Sequence, residues 1–151
     1  MQNTDVLISI YQNTQTATQS INDLLSKTNT KAFKDLLNAQ YQRYVEFNNM
    51  VEDYAKQTNI TLKDNSWFEK AKLWTSIQMG TLTNSSTRHL AELMLIGTVM
   101  GTLTCYKTKA DNPLASKDVI NLLDKLEKLE EENFNELKKY LKDCTKNKPL
   151  L

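Results

Sequence analysis

Apolar residues recur at spacings of three and four along most of this chain, which is the period of an amphipathic helix. Two such rows predict helices at about 4–27 and 31–57. The polar break between them, residues 28–30, is so short that the two helices are expected to form an antiparallel hairpin. The inward positions of these helices are Leu7, Ile10, Tyr11, Thr14, Ala17, Thr18, Ile21, Leu24, Leu25, Phe33, Leu36, Leu37, Gln40, Tyr41, Tyr44, Phe47, Val51, Tyr54 and Ala55.

The second part of the chain predicts three more helices, at about 67–81, 87–107 and 116–142. The shortest carries two tryptophans and begins with a capping-box pattern formed by Ser66 and Glu69. The helix at 87–107 is apolar around most of its circumference, so it is expected to be the most buried. The last helix combines a leucine-rich inner row with a mixed-charge face, which is typical of a solvated surface.

Composition supports a fold made of a few long helices. Only three glycines and two prolines occur in 151 residues, and all-β folds need many more for their turns. The sequence therefore predicts an all-α fold, with residues 1–151 forming one domain. Its architecture is expected to be an antiparallel four-helix bundle with one extra short crossover helix.

Charge and apolar length exclude two classes of partner. Lysine and arginine number 19 and aspartate and glutamate 18, so the chain lacks the basic excess of a general nucleic-acid binder. The longest apolar stretch, Leu93–Tyr106, is shorter than the roughly 20 residues that cross a bilayer. No basic region precedes an apolar run at the N-terminus, so no signal peptide is predicted. Cys105 and Cys144 are then expected to be unpaired thiols in a reducing compartment.

The first candidate site is a polar interruption in the inner row of the last predicted helix. At about 100° per residue, Glu130 and Asn133 point to the same side as the neighbouring leucines. A buried acid without a partner is costly, so a polar inward residue of another helix is expected beside it. The candidates are Thr14, Thr18, Gln40, Tyr41 and Tyr44. Three outcomes are open: a structural hydrogen-bond network, a Glu130 side chain that rotates outward to solvent, or a small polar pocket for a divalent metal ion or a small molecule.

The second candidate is the pair His89 and Glu92, which share one face near the start of the helix at 87–107. A His-x-x-Glu pair supplies two metal ligands, but one histidine and one acid fall short of a complete ligand set. The alternative is helix capping and surface pairing, because Arg88 precedes Glu92 by four residues, the spacing of a helical ion pair.

The third candidate is Gly97-x-x-x-Gly101 in the same helix. Each glycine costs a helix on the order of 1 kcal/mol relative to alanine, so the pair is expected to serve a purpose. Three uses are open: close packing against a neighbouring helix of the same chain, an interface with a second subunit, or room for an apolar ligand.

Two long helices in a hairpin, a crossover segment and two more long helices resemble the ferritin-like four-helix bundle, whose topology is up-down-down-up. In that family, inward Glu and Glu-x-x-His motifs bind the metal ions. Here Glu130-x-x-Asn133 has asparagine in place of the histidine, so the resemblance implies no ferroxidase activity. The stretch MGTLTNSSTRHLAELMLIG, residues 79–97, also resembles uncharacterised small ferritin-like proteins of Firmicutes such as clostridia, which implies a bacterial cytoplasmic protein.

No glycine-rich phosphate loop, nucleophile elbow or paired-cysteine motif is present, and a single histidine gives little support for a catalytic triad. The sequence therefore predicts no catalytic residues and no cofactor. We expect a non-enzymatic helical bundle that acts by self-association, as a homodimer, or by binding a protein partner. The predicted interface is the ridge of Gly97 and Gly101, or the short helix at 67–81 with its tryptophans. The alternative is a degenerate ferritin-like bundle that binds a metal ion or a small polar ligand between its helices.

Overall fold

The computed structural model describes residues 1–62 and 86–147, with side chains up to residue 144. These residues form four helices and no strand: α1 is Gln2–Leu25, α2 is Lys31–Gln57, α3 is Thr87–Asp111 and α4 is Lys117–Asn147. The prediction of an all-α four-helix bundle is confirmed. The predicted short helix at 67–81, with its Ser66 and Glu69 capping box, lies outside the described residues.

Hydrogen bonds at the two ends of the bundle define the direction of each helix. The hydroxyl groups of Thr28 and Thr30, in the α1–α2 connection, lie 3.3 Å and 2.7 Å from the Thr87 hydroxyl group. At the opposite end, the backbone N–H of Ser116, just before α4, donates to Asn3 Oδ1 at 2.7 Å. Helices α2 and α3 therefore run in the same direction, and the order along the chain is up-down-down-up.

The four helices pack so that every neighbouring pair is antiparallel. Helix α1 packs against α2 and α3, and α4 packs against the same two helices from the opposite corner. Helices α1 and α4 also touch across the centre of the bundle. Since four helices meet around one axis, a side chain on the inner face of α4 can contact residues of all three others.

The inner faces follow the predicted apolar rows. Aromatic packing closes one level of the core, where the rings of Phe33 and Tyr140 have centroids 5.3 Å apart. The buried apolar residues are Val6, Leu7, Ile10, Ile21, Leu24, Phe33, Leu37, Tyr44, Phe47, Val51, Ala55, Leu90, Ala91, Met94, Cys105, Val119, Leu122, Leu123, Leu126 and Leu137.

Helix α3 departs from its prediction. Expected to be the most buried element, it is buried on one side only and exposes a second apolar row on the other. We call this row the α3 outer face; it consists of Ile96, Val99, Met100, Leu103 and Tyr106. These side chains are between 40% and 58% exposed. An apolar sequence on both sides of a helix reads as full burial, but in this chain the bundle covers only the inner side.

Candidate functional site

A carboxyl group lies at the centre of the bundle. Glu130 interrupts the leucine row of α4 and is only 1% exposed, because its neighbours in that row, Leu126 and Leu137, turn the same face inward. The Tyr44 hydroxyl group, from α2, donates a hydrogen bond of 2.8 Å to Glu130 Oε2. The predicted partnership of this acid with a polar residue of α2 is therefore present.

One helical turn further along α4, Asn133 joins the same group of polar side chains. The amide Nε2 of Gln40 donates to the backbone oxygen of Asn133 at 3.3 Å and to Glu136 Oε1 at 3.1 Å. Gln40 and Asn133 are both fully buried. The structure thus brings together all four residues of the first candidate site: Glu130, Asn133, Gln40 and Tyr44.

An ion pair closes the edge of this cluster towards solvent. Arg43 donates two hydrogen bonds to the Glu136 carboxylate, at 2.7 Å and 2.6 Å, and a third of 2.9 Å to Asn133 Oδ1. Sequence reasoning missed this pair. A usable signal existed: Arg43 follows Gln40 by three residues and Glu136 follows Asn133 by three, the spacing that puts side chains on one helix face.

The other side of the Glu130 carboxyl group faces α3 and α1. An ideal Cβ built on Gly101 would lie 3.0 Å from Glu130 Oε1 and 3.1 Å from Asn13 Oδ1. The Asn13 Nδ2 group donates to the Gly101 carbonyl oxygen at 3.1 Å. Gly101 is buried and packs closely against side chains of its own chain, so it lies outside the interface predicted for Gly97 and Gly101. Among the described residues, nothing lies within 4 Å of a Cβ built on Gly97.

Burial determines the protonation states of the cluster. It raises the pKa of Glu130 to about 8, although the hydrogen bond from Tyr44 acts in the opposite direction, so the acid is mostly protonated at pH 7. Burial also raises the pKa of the Cys105 thiol to about 12 and that of Tyr44 well above its ordinary value. Cys105 is therefore a thiol and not a nucleophilic thiolate. At the edge, Arg43 lowers the pKa of Glu136, which stays ionised.

Among the described residues, two buried polar atoms in the cluster form no hydrogen bond of good geometry: Gln40 Oε1, an acceptor, and Asn133 Nδ2, a donor close to the Tyr44 hydroxyl group. Buried polar groups are nearly always paired in folded proteins, so such atoms mark a position for water or for a small polar molecule. The cluster offers these atoms together with one protonated carboxyl group.

The second candidate pair lies at the surface. His89 Nδ1 is 3.6 Å from Glu92 Oε2, and Arg88 Nε donates to Glu92 Oε1 at 3.2 Å. The backbone N–H of His89 donates to the Ser86 side chain, which caps α3. Within residues 1–62 and 86–144, no three His, Cys, Asp or Glu side chains are grouped so as to hold a metal ion. The described residues therefore do not fit a two-iron ferritin-like centre.

Comparison with known proteins identifies no relative: no family model, curated protein or solved structure matches the chain. The ferritin-like resemblance therefore stays a prediction. In the described part of the chain, none of the helices has the length and apolar character needed to cross a bilayer.

The buried acid predicts a specific dependence of stability on pH. Because folding raises the pKa of Glu130 from its ordinary 4.5 to about 8, this group contributes its full stability below about pH 4.5. That contribution decreases as pH rises towards 8, by at most about 1.4 kcal/mol per pH unit. The variant Glu130→Gln keeps an acceptor for Tyr44 but cannot ionise. Relative to the variant, the wild type should lose free energy of unfolding between pH 5 and 8, measured by urea denaturation.

The matched control for this measurement is Glu136→Gln. Arg43 lowers the pKa of Glu136, so its contribution is present above about pH 4.5 and is lost only as the solution becomes more acidic. Between pH 5 and 8 the wild type and this control should run in parallel. Parallel curves for the wild type and Glu130→Gln over the same range would show that Glu130 is not a buried acid.

The two glycines of α3 should respond differently to alanine. Gly97→Ala adds a methyl group in open space and should stabilise the protein by up to about 1 kcal/mol through helix propensity. Gly101→Ala gains the same propensity but forces its methyl group against Glu130 and Asn13. We expect Gly101→Ala to be less stable than Gly97→Ala by at least about 1 kcal/mol in urea denaturation. Equal stabilities would mean that Glu130 does not occupy the space beside Gly101.

Proposed function

We propose that this protein is a non-enzymatic helical bundle that acts by association, and that its binding surface is the α3 outer face. The observation that carries the proposal is one continuous row of five apolar side chains, each at least 40% exposed. Single exposed apolar residues are normal on soluble proteins, whereas contiguous apolar patches mark interaction sites.

The shape of this surface supports the same function. Beside the α3 outer face, a groove of about 400 Å³ runs between α3 and α4. Its walls are formed by Val99, Thr102, Leu103, Tyr106, Glu131, Phe134 and Asn135. A ridge of apolar side chains next to a groove is the form that a partner helix packs against. Covering the row would remove apolar area from water at about 25 cal/mol per Å².

The surroundings of the reactive side chains argue against a catalytic site. The Cys105 thiol is buried and protonated, and the Glu130 carboxyl group is buried and bonded to Tyr44. His89 lies at the surface, with its Nδ1 3.6 Å from Glu92 Oε2. We propose no catalytic residue and no cofactor. On the sequence features alone, we also propose a bacterial cytoplasmic setting and no nucleic-acid or membrane partner.

The test of this function is the mass of the protein in solution. Leu103, the most exposed member of the row, is replaced by glutamate, which places a charge at the centre of the surface. By light scattering at micromolar concentration, we expect the wild type to have twice the 17.4 kDa mass of the chain and Leu103→Glu to have the monomer mass. The control is Leu114→Glu, because Leu114 is 84% exposed but lies outside the row.

Two results together would show that the α3 outer face is not a binding surface. The wild type and Leu103→Glu would have the same mass, and both would capture the same proteins from a cell extract. Circular dichroism of both variants should match that of the wild type, because neither substitution touches the core.

A second candidate function is the binding of a metal ion or a small polar molecule at the Glu130 cluster. The observation that favours it is the buried acceptor Gln40 Oε1, which has no hydrogen-bond partner among the described residues, beside the amide group of Asn133. The inner carboxyl group of the cluster, Glu130, is mostly protonated at pH 7, and the outer one, Glu136, is engaged by Arg43, so the cluster suits a neutral polar molecule better than a divalent cation.

The metal arm of this candidate is tested by elemental analysis of the purified protein before and after soaking with iron, manganese and zinc. Metal that is stoichiometric in the wild type and absent from Glu130→Ala would support binding at the cluster. His89→Ala serves as the control for surface binding. If no metal is retained, Glu130→Leu decides the role of the acid, since a merely structural buried carboxyl group can be replaced by leucine with equal or higher stability.

A further inference from the structure

The apolar and charged residues of the α3 outer face are spaced symmetrically about Val99 and Met100, which favours one kind of partner. Resting on the function proposed above, we propose that the partner is a second copy of this chain. In this homodimer the two α3 helices pack antiparallel across a two-fold axis that passes between the levels of Val99 and Met100. Such an interface brings one surface patch against its own copy.

The spacing of the exposed residues matches this arrangement. In an antiparallel pair, a residue that precedes the axis faces the residue of the other copy that follows the axis by the same number of positions. Ile96 precedes Val99 by three residues, and Leu103 follows Met100 by three. Each Ile96 would therefore face the Leu103 of the other copy, with Val99 and Met100 packed around the axis. Every contact at the centre of the interface is then apolar on both sides.

Opposite charges stand at the two ends of the same row. Glu92 precedes Val99 by seven residues and Lys107 follows Met100 by seven. Seven residues are about two helical turns, so both side chains return to the side of the α3 outer face. Across the two-fold axis, each Glu92 would face a Lys107 of the second copy, and the dimer would contain this ion pair twice.

Both charged groups are able to form this pair. Arg88 occupies Glu92 Oε1, while Oε2 is 3.6 Å from His89 Nδ1, too far for a hydrogen bond, and keeps lone pairs for a lysine. Lys107 is exposed and forms no ion pair within the described ranges 1–62 and 86–144. In the reverse, parallel arrangement, Glu92 would face Glu92 and Lys107 would face Lys107, which like-charge repulsion disfavours.

The dimensions are those of a small, specific interface. The row from Glu92 to Lys107 is about 22 Å long at 1.5 Å per residue, and the groove beside it receives side chains of the second helix. Gly97 borders the row and leaves open space where a Cβ would stand, so the second helix meets no obstacle there. A standard interface covers about 800 Å² on each partner, which requires contributions from α3 and from the groove wall of α4.

The experiment reverses each charge separately and then combines the variants. In Glu92→Lys both end pairs join two positive charges, and in Lys107→Glu both join two negative charges. We expect each variant alone to raise the dimer Kd on the order of tenfold or more in sedimentation equilibrium at low salt. A 1:1 mixture of the two variants places opposite charges at both ends, so it should form a dimer containing one copy of each. The double variant Glu92→Lys with Lys107→Glu should also regain the wild-type Kd.

The control is Lys56→Glu, a charge reversal at an exposed residue of α2, which should leave the Kd unchanged because α2 packs against α1 and α4 and contributes nothing to the proposed interface. A monomeric wild type at high micromolar concentration would overturn the homodimer and leave association with a different protein. A different result separates the two proposals. If Leu103→Glu abolishes the dimer but the mixed charge variants do not recover it, the surface is correct and the antiparallel register is wrong.

Discussion

The burial of one carboxyl group at the centre of the bundle constrains every helix around it. Glu130 lies where α4 faces the other three helices, and each of them accommodates it differently. Helix α2 contributes the Tyr44 hydroxyl group, α3 contributes the missing side chain of Gly101, and α1 contributes Asn13 beside that glycine. Because an isolated charge would be very costly there, the acid is held mainly in its protonated form. These contacts involve all four helices.

Polar groups in the cluster are arranged by their distance from solvent. The innermost group, the Glu130 carboxyl, is neutral and accepts a hydrogen bond from a neutral phenol. The ionised groups, Arg43 and Glu136, lie at the edge of the cluster, where water still reaches them. Two hydrogen bonds join the Arg43 guanidinium group to the two oxygen atoms of the Glu136 carboxylate. Asn133 connects the two zones by accepting from Arg43.

Helix α3 leaves space for Glu130 on its inner side and carries the surface proposed for association on its outer side. Gly101, which has no side chain, leaves room for Glu130 on the inner side of α3, while Ile96, Leu103 and Tyr106 are exposed on the outer side. The bundle cannot cover both sides of α3, because α3 lies at a corner and packs mainly against α1 and α4. An apolar row left outside in this way is stable in water only if it is small or covered, and the symmetric placement of Glu92 and Lys107 favours a second copy as its cover.

The features that could be predicted from the sequence alone are those that repeat with the period of a helix. The period of the apolar residues predicts the helices and their inner faces, and it places Glu130, Asn133, Gln40 and Tyr44 on those faces, where the structure buries all four. The period could not show which of these residues contact each other. The hydrogen bonds from Arg43 to Asn133 and Glu136 depend on the rotation and height of α2 relative to α4. Tertiary structure also separated the two apolar sides of α3, and it assigned Gly101 to the core and Gly97 to open space. A pattern along one chain records which residues avoid water, whereas what covers them depends on the packing of elements that are distant in sequence.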